Sequence, residues 1–318
     1  MLQKKYAILI AGPTASGKSV LAARLAADLG GVVINADSMQ VYRDLAIITA
    51  RPSEEEMQGS PHALYGVLEG AKSCSAADWS ILAMQEAESA WQKDLIPIFV
   101  GGTGLYLKFL IDGVADIPDI PAEIRQAVRD ELATKGAAVG HARLVTLDPV
   151  TAARLSPNDS QRIARALEVV QATGKPLSDW QKNNKEGPLQ ALDEAGLVYK
   201  IVIDIEREAL YARCDMRFDQ MLEAGALTEV ETLLEKDLDK ALPVMKSLGV
   251  PQLAEYLQGK SSLEDAADLA KMQTRRFAKR QTTWFNNQFN TWDRVYWQYN
   301  DSKYTDIRNI ITKNMLTK

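Results

Sequence analysis

The stretch GPTASGKS, Gly12 to Ser19, leaves the chain few ways to fold. A G-x-x-x-x-G-K-[ST] segment works as a phosphate loop only between a strand and a helix. Both flanks are written here. Tyr6 to Gly12 (YAILIAG) is a short apolar run ended by turn residues, which predicts a buried strand. The helical spacing that starts at Lys18 (KSVLAARLAADLG) stops at Gly30-Gly31. In that setting the N–H groups of Gly12, Pro13, Thr14, Ala15, Ser16 and Gly17, proline excepted, can turn toward phosphate oxygens. The helix dipole adds positive potential, Lys18 neutralises charge and Ser19 can hold Mg²⁺. Phosphate binding follows from this pattern, but nucleotide hydrolysis does not.

Further strands alternate with helices. GVVINAD ends at Asp37, LIPIFVGG opens onto Gly101-Gly102, and YKIVIDI runs from Tyr199 to Ile205. Ser75 with Asp78 resembles a capping box and starts a long helix. This alternation predicts an α/β fold, a P-loop NTPase-like parallel sheet whose functional groups gather at the carboxyl ends of the strands. From about Gly113 the pattern becomes Pro-punctuated and then mostly helical until about Leu197. The expected organisation is therefore an α/β core of residues 1–114 and 198–318 with a helical insertion at 115–197. From Arg207 onward the chain reads as helical, including one uninterrupted stretch from Ser262 to about Asn290.

With 318 residues the chain buries a sizeable core without staples, and Cys74 and Cys214 read as packing residues that suit a reducing cytosol. No stretch approaches the roughly 18 apolar residues of a membrane span, so a cytoplasmic protein with no membrane partner is expected. A monomer is the default, since no apolar repeat suggests an interface.

Net charge is −5, from 37 basic and 42 acidic residues, but it is unevenly spread. No acid lies between Asp268 and Asp293, while Lys271, Arg275, Arg276, Lys279 and Arg280 fall in that window. Like charges at helical spacing repel by about 0.2–0.5 kcal/mol per pair. A polyanion in contact explains five of them better than a solvated face does. Arg162 and Arg165 share another helical face, with Ile163, Ala164 and Leu167 turned to a core. Gln161 beside them offers an amide able to read a base edge. Arg213 and Arg217, four apart, could clamp a pyrophosphate or pair with Asp215 or Asp219. Asp37 could be a metal ligand, a general base or the cap of the next turn. Thr103 offers a hydroxyl at a strand end or caps a tight turn. Of the two histidines, His62 and His141, His62 reads as a local hydrogen-bonding residue. Phe277, Trp284 and Phe285 read as core.

These motifs together resemble the tRNA dimethylallyltransferase family, the bacterial isopentenyltransferases that modify the adenosine 3′ to the anticodon. The resemblance runs in order through GPTASGKS, ADSMQVYR, GGTGLYLK, HARL with DPVTAARLSPNDSQRIARALEVVQATGKPLS, LYARCDMRFDQMLEAG and TRRFAKRQTTWF. It implies that the loop holds the pyrophosphate of dimethylallyl diphosphate, with Lys18 and Ser19-bound Mg²⁺ neutralising it and Arg213 and Arg217 assisting. It implies that Asp37 is the general base and that Thr103 helps hold the reacting centre. The partners it implies are dimethylallyl diphosphate and tRNA, gripped at the anticodon stem-loop. The implied tRNA contacts map onto Asp37, Ser38, Met39 and Gln40, Thr103, Arg125, Gln161, Arg162, Ile163, Ala164 and Arg165, and Arg275, Arg276, Lys279 and Arg280.

The chain departs from the family pattern at three places. Ile48-Thr49-Ala50-Arg51 stands for Gly-Thr-Ala-Lys, His62-Ala63 for His-His, and the segment SLGVPQ, Ser247 to Gln252, lacks a tyrosine and a basic residue. Two rival functions share parts of the pattern. A P-loop small-molecule kinase would place ATP in the loop but leaves the basic helix unexplained. A nucleotide-binding RNA chaperone would keep the basic strip but has no need of Asp37.

Overall fold

The computed structural model describes residues 5–182, 184–296 and 301–316. The chain divides into two compact units, Met1–Ile111 with Pro188–Lys318, and Asp112–Gly187.

The larger unit is built on six strands, β1 (Ala7–Ala11), β2 (Gly31–Asn35), β3 (His62–Ala63), β4 (Ile96–Gly101), β7 (Val198–Asp204) and β8 (Asp293–Tyr296); β5 (Val114–Ala115) and β6 (Asn184–Lys185) belong to the smaller unit. The sheet order is β3-β2-β4-β1-β7-β8 with every pairing parallel. All five residues of β1 and of β2 are buried, as expected of strands covered on both faces. Alternate side chains then serve opposite layers. Leu9, Ile34, Phe99 and Val202 face Trp79, Ala83 and Ala87 of α2 (Ala76–Gln92), after α1 (Lys18–Leu29) in the chain, with Tyr106 and Leu107 of α3 (Gly104–Asp112). Ile8, Ile10, Val33, Ile98 and Ile203 face Leu21 and Leu25 of α1.

The predicted starts and stops hold where local chemistry sets them. Ser75 Oγ accepts from Asp78 N–H at 3.1 Å while Asp78 Oδ2 accepts from Ser75 N–H at 2.9 Å, closing the capping box of α2. Gly30 ends α1 in the left-handed conformation, φ 68°.

The smaller unit comprises α4 (Ala122–Lys135), α5 (Ala137–Leu147), α6 (Pro149–Ala152), α7 (Ser160–Thr173), α8 (Leu177–Trp180) and the antiparallel pair β5-β6. Val128, Leu132, Leu144, Ile163 and Leu167 form its core. Asp148, fully buried, caps α6 through Thr151 N–H at 3.0 Å and accepts Ser178 N–H at 3.0 Å.

The return from this unit comes earlier than Leu197. Leu189 is fully buried in the larger core and donates its N–H to Leu110 O at 2.8 Å, so α9 (Gln190–Glu194) belongs with β7. The remaining helices are α10 (Arg207–Glu223), α11 (Ala226–Leu234), α12 (Val250–Leu257), α13 (Leu263–Gln288) and α14 (Asp301–Leu316). Ser262 caps α13 by accepting Asp265 N–H at 3.0 Å. The helical reading of the carboxyl-terminal part needs one correction. Asp293–Tyr296 is an edge strand, paired with β7 from Ile201↔Asp293 to Asp204↔Tyr296. Four residues are too few for a period-2 pattern to show, and only the neighbouring strand selects the extended form.

Candidate active site

The ends of β1, β2 and β4, three adjacent strands, carry the phosphate loop, Asp37 and the Gly101–Thr103 turn. Within the loop, Ala15 (φ 60°) and Gly17 (φ 86°) are left-handed, which turns successive N–H groups inward. Ser16 N–H donates to Pro13 O at 3.2 Å. The N–H groups of Lys18 and Ser19 open α1 and have no carbonyl one turn back within the helix. Lys18 is buried and donates Nζ–H to Pro13 O at 3.2 Å. Burial pulls its pKa down to about 8, against the pull of Asp37 toward the charged form and with Arg217 adding to the depression. Ser16 Oγ, fully buried in the loop, has no hydrogen-bond partner in the protein. Lys18, Ser19, Arg51, Arg213 and Arg217 line a cavity of about 400 Å³ in front of the loop.

Asp37 is held by residues the sequence did not single out. Asn35, fully buried, donates Nδ2–H to Asp37 O and Leu64 O, both at 3.0 Å, and accepts Asp37 N–H at 2.8 Å. Asp37 Oδ1 accepts Met39 N–H at 2.9 Å, so the cap reading holds for one carboxylate oxygen and leaves the base reading open for the group. Thr103 Oγ1 accepts Ser38 N–H at 2.9 Å, binding the β4 turn to the segment after β2. Gln40 Nε2–H reaches Thr49 O and Ala50 O at 2.9 Å, and Arg217 Nη2–H reaches Ala50 O at 3.3 Å. The loop carrying Ile48-Thr49-Ala50-Arg51 is anchored by Glu229, whose carboxylate accepts Ala46, Ile47 and Ile48 N–H at 2.6 to 2.9 Å.

A second cavity of about 320 Å³ shares Thr14, Ala15, Asp37, Thr49 and Arg217 with the first. Its other walls include Thr103, Met39, Phe218, Phe277 and Arg280. Phe277 is thus a wall of the cavity and not core, whereas Phe285 is core as expected. The departure at Ser247 to Gln252 also reaches this cavity: Lys246, Ser247 and Leu248 line it, while Val250 is buried and Gln252 Oε1 accepts Gly249 N–H at 3.1 Å. His62 sits in β3 with Nδ1 2.9 Å from Ser60 O, a local role.

The basic helix is less bare than its sequence suggests. Lys271 pairs with Asp219 and Arg275 with Asp215, both at 2.5 Å, across from α10. Those acids, offered from sequence as partners for Arg213 and Arg217, meet cations of α13. Arg276, Lys279 and Arg280 are exposed. In the smaller unit Arg125, Gln161, Arg162 and Arg165 are exposed, with Arg162 paired to Asp159 at 3.1 Å. Ile163 and Ala164 are buried in its core, as their helical spacing predicts, so a contact with RNA at these two positions would not be made by exposed side chains. Arg154, Arg162, Arg165 and Gln181 line a cavity of about 390 Å³ there.

Among the described residues no three His, Cys, Asp or Glu side chains are grouped to hold a metal ion, and no helix is long and apolar enough to cross a membrane.

A phosphate loop and a strand-end carboxylate sharing one basic cavity, on a parallel sheet, define a P-loop-type enzyme of two neighbouring substrate spaces. The model of the IPP transferase family matches residues 40–288, and that of isopentenyl transferase matches residues 5–66. The chain belongs to the IPP transferase family. It is 52% identical to the tRNA dimethylallyltransferase of Nitrobacter hamburgensis over 89% of this chain and 88% of that protein. It is 49% identical to that of Rhodospirillum rubrum over 98% and 95%. The solved full-length tRNA isopentenylpyrophosphate transferase of Bacillus halodurans superposes with a TM-score of 0.70 at 33% identity, over 99% of this chain and 98% of that one. A eukaryotic dimethylallyltransferase acting on tRNA gives a TM-score of 0.77 at 30% identity, over 92% and 74%.

Proposed function

We propose that the protein transfers the dimethylallyl group of dimethylallyl diphosphate to the exocyclic amine of the adenosine 3′ to the anticodon of tRNA, releasing diphosphate. The observation that carries this reading is that Asp37 and Arg217 line both cavities, so one carboxylate serves the phosphate side and the acceptor side.

In this reading the diphosphate lies against the loop, where Lys18, Arg213 and Arg217 hold its charge. The acceptor adenine enters the second cavity between Phe277 and the Ser38–Met39 segment, flipped from its stack, which is cheap in a single-stranded loop. The bond from the amine nitrogen to the allylic carbon forms as the carbon–oxygen bond to diphosphate breaks. The amine proton passes to Asp37, and the electron pair of the broken bond leaves with diphosphate. Thr103 holds the backbone that aims Asp37.

Mg²⁺ fits the donor set at the loop. Ser19 offers one hydroxyl at the opening of α1 and Asp37 a carboxylate on the same cavity, oxygen donors of the kind a hard cation takes beside its waters and substrate oxygens. When bound, the ion would absorb negative charge on the diphosphate. The exposed Arg276, Lys279 and Arg280 on α13, and Arg125, Gln161, Arg162 and Arg165 on the smaller unit, are surfaces for RNA phosphates and base edges.

The test is a transfer assay at fixed Mg²⁺ with an anticodon stem-loop, offering dimethylallyl diphosphate or ATP in parallel. A mass gain of one dimethylallyl group on the RNA, dependent on the diphosphate alone, is the expected result. ATP consumption with a small acceptor and no gain on RNA would replace this reading by the kinase.

A further inference from the structure

We infer that Gln281 is a positioning residue that fastens the phosphate loop to the Gly101–Thr103 turn, and that the seat of α13 thereby sets the loop's affinity for diphosphate. The coupling to RNA rests on the reading of α13 as an RNA surface.

Gln281 is almost fully buried, and both ends of its amide are used. Oε1 accepts Thr14 N–H from the phosphate loop at 2.8 Å, and Nε2–H donates to Gly102 O at 2.9 Å. A Cβ at residue 102 would lie 2.4 Å from Nε2, so only glycine there admits the amide. Thr14 borders both cavities and precedes the left-handed Ala15. Gln281 therefore joins the phosphate loop, through one planar group, to the turn whose Gly101 lines the first cavity and whose Thr103 lines the second.

The same helix turn carries the outward cations. Ala278, Gln281 and Phe285 are buried at i, i+3 and i+7, one helical face against the core. Arg276, Lys279 and Arg280 stand on the exposed side. A polyanion that settles α13 through these cations also settles the Gln281 amide, and hence the Thr14 N–H. Linkage requires the effect to be mutual: diphosphate in the loop must tighten RNA by the factor by which RNA tightens diphosphate.

The experiment titrates inorganic pyrophosphate with Mg²⁺ into wild type, Gln281→Met and Gln281→Glu, with and without an anticodon stem-loop, and checks folding by thermal melting. Met removes both hydrogen bonds at similar volume; Glu keeps the acceptor for Thr14 N–H and sets a carboxylate against Gly102 O. Wild type is expected to bind pyrophosphate at least about 5-fold more tightly with the stem-loop present. In Gln281→Met that ratio should fall to near one, with stem-loop affinity within about 2-fold of wild type, and Gln281→Glu should be intermediate. A Met variant that is folded and retains the full ratio overturns the inference, and so does a wild type with no ratio to lose. Should Met fail to fold, the Glu variant decides by the same ratio. A wild type that does not bind the stem-loop removes the RNA reading instead. Pyrophosphate affinity without RNA then decides the fastening role, which requires at least about a 5-fold loss in Gln281→Met and is overturned by no loss.

Discussion

The backbone N–H of Ser38 donates to Thr103 Oγ1 at 2.9 Å, so the turn after β4 holds the segment that follows its neighbouring strand β2. Thr103→Val keeps the shape and removes the acceptor. A part-buried donor left unsatisfied costs about 1–3 kcal/mol, and Asp37 next to it loses its aim. Thermal unfolding should show a lower midpoint and the transfer assay a lower kcat, with Thr103→Ser restoring most of both. A Val variant as active as wild type would reduce Thr103 to packing.

Asp37 is at once the cap of its own turn and the proposed base, and two substitutions separate these roles. Asp37→Asn retains an oxygen for Met39 N–H. It should therefore keep stability and RNA binding within a few-fold while transfer falls by about 10²–10⁴-fold. Asp37→Ala should add a cap loss of about 1 kcal/mol. If RNA binding collapsed in the Asn variant, Asp37 would be structural.

The buried Lys18 makes a pH dependence with a definite sign. Its folded pKa, about 8, lies below the ordinary 10.5, so between those values the folded protein holds fewer protons than the unfolded chain. Stability from this group therefore rises as pH climbs from about 8 toward 10.5. Pyrophosphate affinity runs the opposite way and should weaken as pH passes about 8, because the ammonium that meets the anion is lost. Calorimetric titration from pH 7 to 9.5 checks this. Lys18→Met should bind weakly at every pH with that step gone.

The ion pairs on α13 sort its cations. Arg276→Ala with Arg280→Ala should flatten the dependence of log affinity for the stem-loop on log salt by about 1–2, as two phosphate contacts are lost. Lys271→Ala and Arg275→Ala remove cations already matched by Asp219 and Asp215, and should leave the slope nearly unchanged. Equal slopes for both pairs of variants would move the RNA surface off the exposed side of this helix.

Much of this site could be read from the linear chain because its chemistry is local. A phosphate loop needs its glycines, lysine and serine within eight residues, and capping boxes such as Ser75 with Asp78 close within four. The parallel α/β core followed from the same local periodicities. What stayed hidden was long-range in sequence. Nothing near Gln281 marks it as the partner of Thr14 and Gly102, 267 and 179 residues away. Glu229 is equally unmarked as the anchor of the loop at 46–48.

The strip of five cations shows the same division. Its composition and helical register were legible, and a helix of that register does form from Leu263 to Gln288. Which charges remain available was settled by α10, whose Asp215 and Asp219 lie alongside and neutralise two of them. Ile163 and Ala164, by contrast, were legible as core from the helical spacing of α7, and they lie in the core of the smaller unit. Sequence determined the residue types, the local turns and the family resemblance, because these depend on neighbours a few positions apart. Tertiary structure decided which polar groups meet, since hydrogen bonds and ion pairs act over about 3 Å in space whatever the distance along the chain.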